Sequence, residues 1–252
     1  MLRASTTDLL PSDELREARG QMGEDQYAQE YECSFDAAIK GAFYAAELSR
    51  ADEERRIGRV PIDRGVPVHT AWDLGVSDST AIWFIQCVGR ERRLVDYHES
   101  SGVGLDHYAG ILDDKRREHR WIYARHFLPH DIAWREMSSG HSRVDTLRGL
   151  GIEPEIVRQH NVLDGINAVR RMLDRTFIDV KRCARGLEAL RQYRREWDDR
   201  LKDWKASPLL DWSSHGADAL RTFAAGYDDP PPVRPVDRHR AYQGDRQSTW
   251  VA

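Results

Sequence analysis

The segment Ser213-Ser214-His215-Gly216-Ala217-Asp218-Ala219-Leu220-Arg221 sets a histidine and a carboxylate three residues apart in a run of helix formers. On a helix that spacing puts both side chains on one face, aimed at one point. Such a pair can hold a metal ion. The plainer reading is a capped surface helix. Two further acids bear on the choice. Asp73 lies in Val68-His69-Thr70-Ala71-Trp72-Asp73-Leu74-Gly75, which reads as a strand, and Gly75 leaves backbone room beside the acid. An acid in a buried strand is costly unless it is paired, hydrogen-bonded or metal-bound. Asp131 closes Arg125-His126-Phe127-Leu128-Pro129-His130-Asp131, a short apolar run expected to be a strand ending at the histidine and the acid. Polar residues at strand ends line the ligand side of α/β sheets. The alternative for Asp131 is an exposed loop acid. His130 reads as a neighbour rather than a ligand. Asp78, in Ser77-Asp78-Ser79-Thr80, reads as a turn residue.

The elements that must position these residues follow from periodicity. Val68–Leu74, Thr80–Val88 and Leu94–Glu99 are strand-like and joined by tight turns, so they should form an antiparallel meander. A helical pattern spans Leu105–His119, with Tyr108, Ile111 and Leu112 on one face. The strand before Asp131 comes next, then a helix near Ser142–Leu150 stopped by Gly149 and Gly151. A short strand at Glu155–Arg158 and a helix at Leu163–Leu173 follow. The order βββαβαβα implies an α/β fold, a mixed sheet with helices on its faces. The first and fourth strands must be neighbours for Asp73 and Asp131 to meet. The pattern alone does not dictate that.

Here the residues carry a specific resemblance. Trp72-Asp73-Leu74-Gly75-Val76-Ser77-Asp78-Ser79-Thr80-Ala81-Ile82, then Pro129-His130-Asp131, then Asp211-Trp212-Ser213 through Arg221 resemble the nuclease domain of tailed-bacteriophage terminase large subunits, the DNA-packaging motor proteins. Tyr31-Glu32-Cys33-Ser34-Phe35 and Gly41-Ala42-Phe43-Tyr44 resemble that family's segment joining ATPase and nuclease domains. The resemblance spans residues 25 to 227. It implies a ribonuclease H-like fold, with strands one to three antiparallel, the further strands parallel, and the first and fourth adjacent. Asp73, Asp131 and Asp218 match the family's acidic triad, and His215 matches a histidine near the metals.

The mechanism implied is two-metal hydrolysis of a DNA phosphodiester. Hard oxygen ligands suit Mg²⁺ or Mn²⁺, and the histidine tilts the set towards Mn²⁺. Asp73 would bridge two divalent ions, Asp131 would complete one site, and Asp218 with His215 the other. The expected substrate is concatemeric double-stranded DNA, cut with little sequence preference, because phosphate contacts position a duplex without reading it. Other ribonuclease H-like nucleases, of the resolvase or transposase type, and a non-catalytic DNA-gripping module are the alternatives. No G-x-x-x-x-G-K-[ST] occurs in the chain, so no ATP binding through a P-loop and no ATPase activity are expected of it. In the full motor the implied partners are the ATPase domain, the small terminase subunit and the portal or procapsid. The domain alone is expected to be a monomer.

Composition is consistent with this reading. At 252 residues, 40% hydrophobic with eight tryptophans, the chain is long enough for one full core. We expect a linker at residues 1–60, the nuclease domain at 61–228 and a disordered tail at 229–252, where Pro230, Pro231, Pro232 and Pro235 cluster. Within the linker, Met1–Pro11 reads as mobile and Ser12–Tyr31 as helical. Cys33, Cys87 and Cys183 make no C-x-x-C, so neither zinc nor a disulfide framework is expected. No apolar run reaches the roughly 18 residues of a membrane helix, and no signal peptide is visible, so the expected location is the host cytoplasm during viral assembly.

The net charge of −4 hides an asymmetry: acids dominate the start, while arginines and lysines gather between Arg170 and Lys205. Tyr193-Arg194-Arg195-Glu196-Trp197-Asp198-Asp199 alternates and ends in a turn signal, which predicts a β-hairpin over 193–205. The rival is an extension of the preceding helix. As a hairpin, it would rest Arg194, Arg195 and Lys202 on the DNA backbone. The rival for the whole basic run is a solvated helix face interleaved with acids.

Overall fold

The computed structural model describes residues 41–75, 79–133, 142–198 and 200–229. The expected mobile start and helix over 1–31, Asp78 and the proline cluster from Pro230 onward lie outside the described residues. In chain order the elements are α1 (Ala45–Glu53), β1 (Ile57–Gly58), β2 (Val68–Asp73), β3 (Ser79–Val88), β4 (Glu91–Ser101), α2 (Leu105–His119) and β5 (Tyr123–Leu128). A 3-10 turn (His130–Ala133), α3 (Arg143–Gly149), β6 (Pro154–Ile156), α4 (Val162–Leu173), β7 (Thr176–Asp179), α5 (Ala184–Gln192), β8 (Arg195–Asp198), β9 (Asp203–Pro208) and α6 (Trp212–Gly226) follow.

Seven strands form one mixed sheet in the order β1-β7-β4-β3-β2-β5-β6. β2, β3 and β4 pair antiparallel, and every other pairing is parallel. β2 and β5 are neighbours, as convergence of Asp73 and Asp131 requires. This is the mixed sheet expected from the sequence. Two short strands were not legible there: β1 and β7, which close the edge beyond β4.

β3 reads as an unbroken apolar run because it is buried on both faces. Ala81, Trp83 and Ile85 enter one core; Ile82 and Phe84 enter the other. The first core lies under α1, α4, α5 and α6, through Leu48, Val169, Leu187 and Leu220. The second lies under α2 and α3, through Tyr108, Leu112, Val144 and Leu147. The fold extends upstream of the expected boundary at residue 60. Phe43, Tyr44 and Leu48 are buried in the first core, and β1 pairs with β7, so the stretch read as linker supplies core side chains and a strand.

The strand before Asp131 ends earlier than expected, at Leu128. Pro129 lacks an N–H and cannot continue the ladder, so Asp131 falls in the 3-10 turn just beyond the strand. α3 starts on a capping box in which Ser142 and Asp145 satisfy each other's backbone N–H groups.

β8 and β9 form a separate two-stranded antiparallel sheet. α5 ends at Gln192 and the chain turns extended at Tyr193, so the helix does not run on into this segment. Trp197 and Trp204 pack edge to face across the hairpin, with centroids 5.0 Å apart. Gly41, at φ +81°, passes so close beneath Trp204 that a Cβ would sit 3.0 Å from its ring.

Candidate active site

α6 is the helix that builds the site. Asp211 caps it, its carboxylate accepting from Ser213 N at 2.8 Å. Its buried residues include Ser213, Ser214, Gly216, Ala217, Ala219, Leu220, Thr222 and Phe223, small near the start and larger later. Small side chains let the helix lie tightly between the sheet and α5. A Cβ at Gly216 would stand 3.0 Å from the Tyr97 hydroxyl and 3.1 Å from Ala189 Cβ. The indole N–H of Trp83 donates to Gly216 O at 2.7 Å, which pins this turn of helix to β3.

Alternation along β2 turns Ala71 and Asp73 to the α6 side of the sheet. Asp73 Oδ2 lies 3.3 Å from His215 Nδ1. Asp218, one turn along α6, takes a 3.1 Å ion pair from Arg221 Nη1 and a 3.4 Å hydrogen bond from the Tyr193 hydroxyl. Arg221 also donates to the Tyr193 oxygen at 3.3 Å. Burial raises the Asp73 carboxyl above its ordinary range, the His215 contact opposes that, and the charge of Asp131 adds to it. Burial likewise lifts Asp218 to about 6; Arg221 pulls it down, and Asp73 pushes it up.

Asp73, Asp218 and His215 are thus half-buried neighbours. Asp131 is exposed on its turn, near enough for its charge to bear on Asp73. Among the described residues, no three His, Cys, Asp or Glu side chains close on a common point at metal-binding distance. Mutual repulsion of the carboxylates opposes closure, and Asp218 is engaged by Arg221 instead. The donor set nevertheless has the chemistry of a divalent-cation site: carboxylate oxygens, one imidazole nitrogen, and two acids held above their normal range by burial that a cation would relieve.

Several neighbours were missed by sequence reasoning. Arg221 is three residues past Asp218, the spacing that paired Asp218 with His215, so the same rule would have found it. Glu99 aligns with Ala81 and Asp73 in one row across three strands, about 10 Å from the Asp73 backbone at the usual strand spacing. Its carboxylate accepts from the Tyr97 hydroxyl at 2.7 Å and faces Arg185 Nε at 3.7 Å. Arg185 in turn lies 3.9 Å over the Trp212 ring at the start of α6. Arg143, opening α3, donates to Leu74 O at 3.4 Å just beyond Asp73.

The residues expected to bind DNA differ in exposure. Arg195 and Lys202 are exposed on the hairpin. Arg194 is half-buried, with Nη2 3.6 Å from Asp211, the cap of α6.

No protein-family model and no curated protein matches the chain. Solved structures do. The large terminase of a thermophilic bacteriophage, in complex with ATP-gamma-S, aligns over 88% of this chain and 55% of its own, at 18% identity and TM-score 0.54. The P22 large terminase nuclease domain aligns over 68% of this chain and 88% of its own, at 16% identity and TM-score 0.50. The large terminase nuclease of the thermophilic phage G20c, with bound cobalt, aligns over 75% and 98%, at 10% identity and TM-score 0.51. The chain spans about half the length of the first of these. A seven-stranded mixed sheet with helices on both faces is, in this chain, the fold of the large terminase nuclease domains.

Proposed function

We propose that this chain is a metal-dependent endonuclease that cuts double-stranded phage DNA during genome packaging, with little sequence preference. The observation that carries the reading is the contact of Asp73 with His215 beside Asp218, at the strand ends of a terminase-nuclease fold. Asp73, Asp131, Asp218 and His215 would hold two divalent ions, Mg²⁺ or Mn²⁺. Bound there, such ions supply an activated water and neutralise charge building on the phosphate.

The chain's own residues do the positioning. His215 orients the Asp73 carboxylate, and Tyr193 with Arg221 fixes the rotamer of Asp218. Arg143 stands beside the Asp73 end of the strand, where its charge would favour a backbone phosphate held at the site. Arg195 and Lys202 on the hairpin extend a basic surface for the duplex, which phosphate contacts hold without reading sequence. In the full motor the partners would be an ATPase domain, a small terminase subunit and the portal or procapsid.

Linear plasmid incubated with the purified chain should be cut in Mn²⁺ and left intact in excess EDTA. Retained cutting in EDTA would overturn the metal assignment. A non-catalytic DNA-gripping role draws support from one observation, the open arrangement of the acids. DNA binding without cleavage in Mn²⁺ would establish that role instead.

A further inference from the structure

At the other end of α6, about 14 Å along the helix from Asp218 by its rise per residue, a cavity of about 140 Å³ opens between α4, α6 and the edge of β4. A single water needs only about a tenth of that space. Three arginines line it: Arg92, Arg171 and Arg175, with Tyr227 and Phe223 as the apolar wall. Arg92 is 1% exposed, an unusual place for a guanidinium. Its Nη1 donates to Glu91 O at 3.0 Å and Gly89 O at 3.3 Å, and its guanidinium carbon lies 4.8 Å over the Tyr227 ring. The head group is therefore held fixed, and its Nη2 makes neither of these carbonyl contacts.

One carboxylate answers this charge. Asp229, past the end of α6 and in no helix or strand, gives one oxygen to Arg92 Nη2 and the other to Arg175 Nη2, the latter at 2.8 Å. The nearby Glu155 is already taken by Arg125. A carboxylate has two oxygens, so Asp229 satisfies two guanidinium groups and leaves Arg171 with no acidic partner among the described residues. Burial, and then the like charges of Arg92 and Arg90, disfavour the Arg175 cation. A tetrahedral oxyanion offers an oxygen to each of three arginines, and planar guanidinium forks match it well.

We propose that this cavity is an anion site that takes a phosphate group, with Asp229 as its built-in competitor. The Asp229 carboxylate, 42% exposed, engages the Arg92 and Arg175 Nη2 atoms that two phosphate oxygens would otherwise take, and it leaves by rotation of an irregular segment rather than by unfolding an element. The same chemistry can come from free phosphate or from a DNA backbone.

The test is calorimetric titration of the full chain with inorganic phosphate in EDTA, at ionic strength fixed with chloride. One saturable site is expected, tightened by Asp229→Asn and weakened at least about tenfold by Arg175→Gln or Arg171→Gln, the loss of one charge-assisted hydrogen bond. Arg92 is left intact because its burial makes it structural. A second arm uses a short duplex in the same buffer. If Arg171→Gln and Arg175→Gln weaken duplex binding and phosphate competes with it, the source is DNA. If duplex binding is unmoved while phosphate binding falls, the source is a small phosphate. No saturable phosphate binding by the Asp229→Asn protein, or equal binding by Arg175→Gln, would overturn the proposal.

Discussion

Asp73 and His215 meet across 142 positions of sequence, Oδ2 to Nδ1, at 3.3 Å. The contact joins the end of the strand next to the sheet centre to the first turns of α6. Either residue could be lost with little damage to the core, since neither is part of it. Asp73→Ala should abolish Mn²⁺-dependent cleavage. His215→Ala should lower it by about ten- to a hundredfold, the usual effect of removing a group that orients a ligand. Initial rates on supercoiled plasmid measure both, and an Asp73→Ala protein cutting at the parent rate would refute the site.

Asp218 makes a pH prediction. Its carboxyl stands at about 6 in the fold, against about 3.9 for an ordinary aspartate. Between those values the folded state holds the proton and the unfolded state has lost it. Stability of the metal-free protein therefore falls as pH rises through that window. The cost is complete by neutral pH and is on the order of 3 kcal/mol at most. Asp218→Asn keeps the shape and removes the titration. The metal-free parent should melt higher at about pH 5 than at pH 7 by more than the variant does. Parallel pH profiles for the two proteins would show that Asp218 is not held protonated.

The sequence made some of this legible, for reasons that are local. β2, β3 and β4 announce themselves by β-rich runs with turn residues between them, and α3 by the glycines at its end, Gly149 and Gly151. His215 and Asp218 share a helix face, so their spacing was readable. Adjacency of β2 and β5 came from family resemblance, because no local signal encodes strand order. β1 and β7, two and four residues long, are too short to carry a period. Glu99 was invisible because only the register through Ala81 aligns it with Asp73. Tyr193 and Asp218 are 25 residues apart and meet only because α5 turns back beside α6.

Metal should stabilise the fold if the acids converge on it. Burial raises both Asp73 and Asp218, and the charge of Asp73 adds to the rise at Asp218. A cation that binds only the folded state raises stability by mass action, about 2.7 kcal/mol at a hundred times its dissociation constant. Scanning calorimetry with Mn²⁺ should show a higher melting temperature for the parent and no rise for Asp73→Ala or Asp218→Ala. The shift should shrink below about pH 6, where protons compete for Asp218. An identical Mn²⁺ shift in all three proteins would mean that the ion binds elsewhere.

Gly186 supports the site from below. A Cβ there would lie 2.5 Å from Trp83 Cη2 and 2.7 Å from Tyr97 Cδ2, both buried rings. Trp83 is the residue whose N–H holds Gly216 O, so displacing its ring disturbs the turn carrying His215. Gly186→Ala should destabilise the protein by about 1–3 kcal/mol, the cost of overpacking a closed core. Cleavage should drop as well at temperatures where the variant is fully folded. Denaturant unfolding with a rate measurement at low temperature separates the two effects. Full activity with lost stability would uncouple Trp83 from the site.

The hairpin residues divide by what holds them. Arg194 leans on Asp211, which caps α6, so its removal weakens the start of that helix. Arg195 opens β8 with its guanidinium carbon 5.8 Å over Phe43, and Lys202 sits in the turn at φ +53°; both side chains are exposed. Arg195→Ala with Lys202→Ala should weaken duplex binding in EDTA and reduce the slope of log affinity against log salt by about one for each phosphate no longer neutralised. Arg194→Ala should instead lower the melting temperature, by the fraction of a kcal/mol typical of a partly exposed ion pair, with a smaller change in salt slope. Fluorescence anisotropy on a labelled duplex across a salt series reads the slopes. Unchanged affinity and slope in the Arg195, Lys202 double variant would remove the hairpin from the proposed DNA interface.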